Sequence, residues 1–189
     1  MRLASSLALL AFLAGHPAFA ATVLESDVSH DGKRYEVRFE FQVQAQASRV
    51  RALLLDYERR PLADSVQEIR LLETLPDGTK RVRVVMQVCV LFICQTMAKT
   101  ADMRELSNGD LLSVGDPARS DFELIRERWS LAPDGDGTRV RYQSELIPRF
   151  FVPPLIGPWL LKLRLLGELE TTADRIERYA QEPVAVPSP

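Results

Sequence analysis

Histidine, cysteine and blocks of like charge are scarce in this chain, and each scarcity excludes a class of chemistry. The 189 residues include two histidines and two cysteines, and the formal net charge at pH 7 is −2. His16 lies in the apolar start of the chain and His30 has no partner pattern nearby, so a serine–histidine–acid triad is not indicated. Acidic and basic residues are interspersed, which is not typical of a nucleic-acid-binding surface.

The two cysteines form one pair, in the segment VCVLFIC, where Cys89 and Cys94 bracket four apolar residues. Two cysteines at this spacing, without a supporting histidine or a second pair, fall short of a zinc-binding set. The C-x-x-C motif of thioredoxin-type redox proteins is also absent. The sequence therefore predicts no metal and no cofactor.

The start of the chain is typical of a secretory signal peptide. Met1-Arg2 supplies a positive end, an apolar stretch of about a dozen residues follows, and Ala18-Phe19-Ala20 matches a cleavage site. We expect cleavage after Ala20 and a periplasmic or secreted protein; a retained anchor is the alternative. In an oxidising compartment a Cys89–Cys94 disulfide is the expected state, with two free thiols as the alternative.

The sequence divides the chain into four segments. Residues 1–20 are the signal peptide, 21–32 an N-terminal extension, 33–180 one domain, and 181–189 a tail that its prolines and lack of periodicity mark as disordered. The domain is long enough to bury a sizeable core.

Most of the domain shows the period-two alternation of half-buried strands. The pattern is clearest in Lys33 to Ala45, where Tyr35, Val37, Phe39 and Phe41 alternate with charged residues. Short helices are expected next, up to Pro61. About six further strands are indicated, joined by Pro-Asp-Gly and Asn-Gly-Asp turns: residues 66–75, 79–90, 93–105, 111–114, 122–131 and 138–147.

The period changes to three or four after Pro153-Pro154, which predicts an amphipathic helix of about 25 residues. An antiparallel sheet with one dry face must bury that face against this helix. The expected class is α+β: a curved sheet of about seven strands wrapped around a long C-terminal helix. Such a wrap leaves a cavity wherever facing side chains are too small to meet.

This order of elements resembles the START/Bet v allergen-like (SRPBCC) superfamily with its helix-grip fold. It is most similar to the bacterial polyketide cyclase/dehydrase, coenzyme Q-binding and lipid-transport branch. The resemblance is carried by YEVRFEFQVQA with ASRVRALLLDYER, by SDFELIRERWSLAPDGDGTRVRYQSELIP, and by FFVPPLIGPWLLKLRLLGELETTADRIERYA.

The resemblance implies a binding or carrier protein whose hydrophobic ligand (a lipid, quinone or sterol-like molecule) lies between sheet and helix. Tyr142 could supply a single polar anchor. The inward candidates for ligand contact are Val37, Phe39, Phe41, Val82, Val84, Met86, Trp129, Tyr142, Trp159, Leu163 and Leu166.

Glu127 is a weak candidate for a catalytic group, because it shares the face of Trp129 and burial would raise its pKa. The alternative is an ion pair with a neighbouring-strand arginine such as Arg139 or Arg141. A cyclase or hydrolase that uses an inward carboxylate is therefore the second functional hypothesis, since some members of the superfamily catalyse such reactions.

Two apolar segments indicate transient contact with a membrane: Val90, Leu91, Phe92 and Ile93, and Phe150 and Phe151 in the run up to Trp159. The alternative is that both segments are buried. The first would then be a bend in one long strand, and the second would be tucked under the domain. A third hypothesis is a protein-interaction module of the cell envelope that uses these segments.

Overall fold

The computed structural model describes residues 20–56, 61–90, 93–152 and 157–182. Within these ranges, the chain forms eight strands, two α-helices and one 3-10 turn. In chain order they are β1 (Thr22–Asp31), β2 (Arg34–Val43), α1 (Ala47–Leu55), β3 (Val66–Thr74), β4 (Lys80–Val90), β5 (Ile93–Glu105), β6 (Leu111–Gly115), the 3-10 turn (Pro117–Arg119), β7 (Phe122–Asp134), β8 (Gly137–Pro148) and α2 (Gly157–Gln181).

The strands form one antiparallel sheet in the order β1-β2-β8-β7-β6-β5-β4-β3. The pairing of β2 with β8 joins the N-terminal hairpin to the hairpins that follow α1. The sheet curves around α2, as a long helix against one dry sheet face requires. The predicted α+β helix-grip architecture is confirmed.

The structure adds two details to that prediction. The segment taken as an N-terminal extension, residues 21–32, contains β1, which turns back at Gly32 to pair with β2. This edge strand exposes most of its side chains and buries Val28, so its sequence carries little alternation. The described chain has one helix, α1, where short helices were expected.

The core lies where α2 packs against α1, β1 and β2. The inward residues of β2 alternate with charged ones, and burying them against the apolar stripe of the helix removes both surfaces from water. A second, smaller cluster lies further along the same strands, near the start of β2 and the end of β8. The first cluster contains Phe39, Phe41, Val43, Val50, Val140, Ala173 and Ile176, and the second contains Tyr35, Met97, Phe122, Ile125 and Leu146.

The remaining predicted segments fall partly outside the described residues. These are residues 1–19 of the signal peptide, residues 183–189 of the tail, Leu91 and Phe92 in the first apolar segment, and residues 153–156 in the second. Among the described residues, neither helix combines the length and apolar character needed to cross a membrane.

Replacing Gly137 with alanine should destabilise the fold, because the added Cβ would collide with the backbone carbonyl oxygen of Val43. Backbone cannot give way as a side chain can, so we expect a loss of about 1–3 kcal/mol. Gly167, inside α2, has no atom within 4 Å of an added Cβ. Gly167→Ala should therefore stabilise by about 0.5–1 kcal/mol. Urea unfolding measures the change in the free energy of unfolding for both variants. Equal changes would contradict the described packing.

Candidate functional site

A cavity of about 510 Å³ lies between the concave face of the sheet and α2. Its walls are mostly apolar and come from β2 to β8 on one side and from the helix on the other. The apolar lining includes Ile69, Val82, Val84, Met86, Met97, Ala101, Ile125, Trp129, Leu160, Leu161 and Leu165.

Strand alternation explains the sheet wall. On β4 the side chains of Val82, Val84 and Met86 line the cavity, whereas those of Arg83 and Val85 between them do not. Helical periodicity explains the opposite wall, because Leu161, Leu165 and Leu169 recur at intervals of four and share one face of α2.

The cavity brings together about half of the predicted ligand contacts. Val37, Val82, Val84, Met86, Trp129 and Tyr142 line it, and their contact with a ligand remains a prediction. Phe39 and Phe41 lie instead in the core that packs on α2, and Leu166 packs against the same core.

Trp159 and Leu163 point away from the cavity and are 62% and 49% exposed. The periodicity of the helix was recognised from sequence but its rotation about its own axis was not. The residues that face the cavity are offset by one or two positions from the expected stripe. Apolar residues continue around both sides of the first turns of α2, so the pattern did not specify which side is buried.

Polar side chains also reach the cavity wall, and four of them form one connected group, the Lys99–Glu127 cluster: Lys99, Ser113, Glu127 and Tyr142. Lys99 forms an ion pair with Glu127 Oε2. The Ser113 hydroxyl donates to the same oxygen at 3.1 Å, and the Tyr142 hydroxyl donates to Glu127 Oε1 at 3.2 Å. Both carboxylate oxygens are therefore engaged.

The ion pair decides the protonation state of Glu127. Burial acts to raise the pKa of its carboxyl, but the Lys99 charge and the hydrogen bonds from Lys99, Ser113 and Tyr142 together hold the pKa below its ordinary value of 4.5. Burial and the nearby Glu127 charge raise the pKa of the Tyr142 phenol well above its ordinary value. At neutral pH the cluster thus contains a carboxylate and a neutral phenol.

Two expectations about Glu127 are wrong. Its pKa is lowered rather than raised, and its partner is Lys99 rather than Arg139 or Arg141. Those two arginines alternate with the inward Val140 and Tyr142, so they lie on the outer face of the sheet and bind Glu40 there. The missed signal is Lys99 itself, a charged residue at an inward position between Met97 and Ala101.

A second charged pair comes from α2. Arg164 and Glu168, one helical turn apart, form an ion pair at the cavity wall. Glu168 also accepts a hydrogen bond from the backbone N–H of Ser65 at 3.1 Å, which ties the start of β3 to the helix. In the described ranges, no group of three or more His, Cys, Asp or Glu side chains is placed to hold a metal ion.

Cys89 and Cys94 are opposite each other on β4 and β5 and form a disulfide, which confirms the predicted bond. Both cysteines are exposed. Strand pairing continues one step further, to Val90 and Ile93, so the connection is shorter than the expected four-residue loop. Leu91 and Phe92 lie outside the described residues, and their exposure remains a prediction.

Replacing Glu127 with glutamine should destabilise the protein by about 3–5 kcal/mol at pH 7, because the Lys99 charge would remain buried without its counter-ion. Glu123→Gln, on the exposed side of the same strand, is the control and should change stability by less than about 0.5 kcal/mol. Urea unfolding measures both.

The same pair should make stability depend on pH with a defined sign. The Glu127 pKa is lower in the folded state, so its contribution is present above about pH 4.5 and is lost as pH falls through the folded pKa. The wild type should therefore lose more stability than Glu127→Gln on acidification below pH 4.5. Parallel losses in the two proteins would contradict an ionised Glu127.

Comparison with known proteins matched the chain to no family model and to no curated protein. Solved structures are similar. A START superfamily protein from Mycobacterium smegmatis is 19% identical with a TM-score of 0.63, over 77% of this chain and 97% of that one. A STAR-related lipid transfer protein from Xanthomonas axonopodis is 17% identical with a TM-score of 0.60, over 83% and 99%. The Zhui aromatase/cyclase from a Streptomyces species is 15% identical with a TM-score of 0.60, over 78% and 94%.

Identities this low establish a shared fold rather than a shared activity. In each of the three cases the match spans nearly the whole of the other protein, so the likeness concerns the complete domain. The chain adopts the helix-grip fold of START and polyketide cyclase-like proteins.

Proposed function

We propose that this protein binds and carries a hydrophobic small molecule, such as a lipid, a quinone or a sterol-like compound, between the sheet and α2. The observation that carries the proposal is the apolar cavity of about 510 Å³. Ligand sites typically measure about 300–1,000 Å³ and combine an apolar lining with a few polar groups that orient the ligand.

The similar structures support this proposal. Two of them are named as a START superfamily protein and a STAR-related lipid transfer protein. Binding in such a cavity derives its free energy from burial of apolar surface, about 25 cal/mol per Å², less the cost of ordering the ligand.

Filling the cavity should abolish binding. Val84→Trp places an indole in the cavity, and we expect affinity for a neutral apolar probe such as N-phenyl-1-naphthylamine to fall at least tenfold. Val85→Trp adds the same group at the next position on β4, whose side chain does not line the cavity, and should change affinity less than twofold.

Fluorescence titration, with native mass spectrometry of extracted ligand, provides the measurement. Melting curves should show that both tryptophan variants fold. Equal affinities in the two variants, or no probe binding to the wild type, would contradict a ligand site in this cavity.

Export to the periplasm or the exterior is also part of the proposal, and it follows from the signal-peptide pattern of residues 1–20. One contact is compatible with processing there: the backbone nitrogen of Ala21 donates to Asp174 Oδ1 on α2 at 3.1 Å. Cleavage after Ala20 would turn this nitrogen into an ammonium group beside a carboxylate. N-terminal sequencing of protein from a bacterial expression host shows whether Ala21 is the first residue.

Transient contact with a bilayer is the route by which we propose that the ligand enters. Phe151 lines the cavity yet is 79% exposed, and Trp159 and Leu163 add exposed apolar surface one and two turns into the nearby start of α2. Together these three residues form the apolar rim. Val90, Leu91, Phe92, Ile93 and Phe150 are the further residues proposed for this contact.

Charges on the apolar rim should weaken membrane association. We expect Phe151→Asp/Trp159→Asp to reduce cosedimentation with phosphatidylglycerol–phosphatidylcholine vesicles at least fivefold, because each carboxylate would have to leave water. Leu24→Asp is the control, since Leu24 is 46% exposed on edge strand β1. Equal reductions in both variants would contradict a contact at the apolar rim, and a stoichiometric protein complex would favour the interaction-module hypothesis.

A cyclase or hydrolase is the second candidate function, and the Lys99–Glu127 cluster favours it, because it places a carboxylate, an ammonium and a phenol at the cavity wall. Zhui, with the same fold, is an aromatase/cyclase. Glu127 remains a weak catalytic candidate, since both of its oxygens are already engaged. Recovery of an extracted ligand at unchanged mass after prolonged incubation would favour the carrier over the enzyme.

A further inference from the structure

The hydrogen-bonding capacity of the Lys99–Glu127 cluster is only partly used within the protein, and the unused part faces an apolar cavity. An ammonium has three N–H donors. In the described chain, Glu127 is the acceptor that Lys99 binds, which leaves two donors. Lys99 is 8% exposed and lines the cavity, so bulk water does not readily satisfy them. A buried ammonium with spare donors calls for another acceptor.

Ser144 adds a second donor to the same wall. It lies opposite Glu127 in the β7–β8 register, is 7% exposed and lines the cavity. Its hydroxyl has no hydrogen-bond partner of ordinary geometry within the described residues and lies near the Tyr142 phenol, whose pKa it acts to lower. The acceptor side of the cluster is by contrast largely occupied, because Glu127 already accepts three hydrogen bonds. The wall therefore offers donors to a ligand more than acceptors.

The charge balance of the cavity further restricts the chemical class of the ligand. Lys99 is matched by Glu127, and Arg164 is matched by Glu168. A carboxylate or phosphate drawn into the cavity would add a negative charge with no free partner, and an amine would add an unmatched positive charge. Desolvation of such a charge is costly. A neutral acceptor meets the spare donors without disturbing either pair.

We propose that the buried end of the ligand carries a neutral carbonyl oxygen, as in a ketone or an ester, and that Lys99 Nζ donates a hydrogen bond to it. Ser144, opposite Glu127 on the same wall, is the second donor that we assign to this end of the ligand. The hydrocarbon part of the ligand then lies against Val84, Met86 and Leu161. This inference rests on the proposed function, since it names the class of molecule that the same cavity takes.

A series of matched twelve-carbon ligands tests the inference: dodecane, 2-dodecanone, dodecanoic acid and dodecylamine. Each displaces N-phenyl-1-naphthylamine from the wild-type protein at pH 7. We expect 2-dodecanone to bind at least tenfold more tightly than dodecane and than either charged compound. If the acid binds most tightly, or all four bind equally, the inference is overturned while the proposed function stands.

A double substitution tests whether the preference for the ketone depends on Lys99. Lys99→Met/Glu127→Leu removes both charges together, so no lone charge remains buried, and we expect the advantage of the ketone over dodecane to fall below threefold. Arg81→Met/Asp102→Leu is the control, because it removes an ion pair from the outer side of β4 and β5. Retention of the ketone preference by the Lys99–Glu127 variant would overturn the assignment to Lys99.

The infrared spectrum of the bound ketone gives a test that needs no variant. A hydrogen bond from an ammonium lowers the carbonyl stretching frequency relative to the same ketone in a hydrocarbon solvent. A lowered frequency in the wild-type complex supports the inference, and an unshifted band overturns it even if the double variant fails to fold. Failure of all four ligands and the probe to bind would instead overturn the proposed function.

Discussion

The width of the sheet relative to one helix is the constraint on which the rest of this structure depends. Eight described strands at about 4.8 Å spacing span about 34 Å, whereas an α-helix with its side chains is about 10 Å across. Curvature of the sheet reduces the mismatch but does not remove it. The helix packs closely at the β1–β2 side, against α1 as well, and a cavity remains between α2 and the rest of the concave face, from β8 to β3 in the sheet order.

The buried ion pair between Lys99 and Glu127 has to be considered together with the cavity that it borders. An ion pair taken out of water seldom stabilises a protein more than well-packed apolar residues would, because desolvation offsets the attraction. Lys99 and Glu127 nevertheless lie on neighbouring parts of a mostly apolar wall, held with Ser113 and Tyr142 by strand register. Stability alone does not account for this arrangement, whereas the orientation of a ligand that we propose for this cavity does. The outer face shows the contrast, since Arg139 and Arg141 bind Glu40 where water is available to help.

Strand alternation made much of the sheet predictable. On β2, β4 and β8 a period of two separated inward from outward residues, and the inward assignments of Val37, Val84 and Tyr142 agree with the structure. Edge strand β1 was not recognised because TVLESDVSHD exposes nearly all of its side chains and is stabilised by backbone pairing with β2. On α2 the period was found but not the phase, so Trp159 and Leu163 were placed inside although both are exposed.

The sequence by itself determined which residues share a face of β2, β4 and β8, that a long amphipathic helix follows the sheet, and that Cys89 and Cys94 could meet. These features are local, since side-chain periodicity and short-range pairing need no distant partner. The tertiary structure alone decided which inward residues border the cavity: Val37 and Phe39 belong to the same core cluster, but of the two only Val37 lines the cavity. It also decided that Glu127 pairs with Lys99, 28 residues away along the chain. Such neighbours depend on how strands are ordered and how far the sheet curves, which no local pattern encodes.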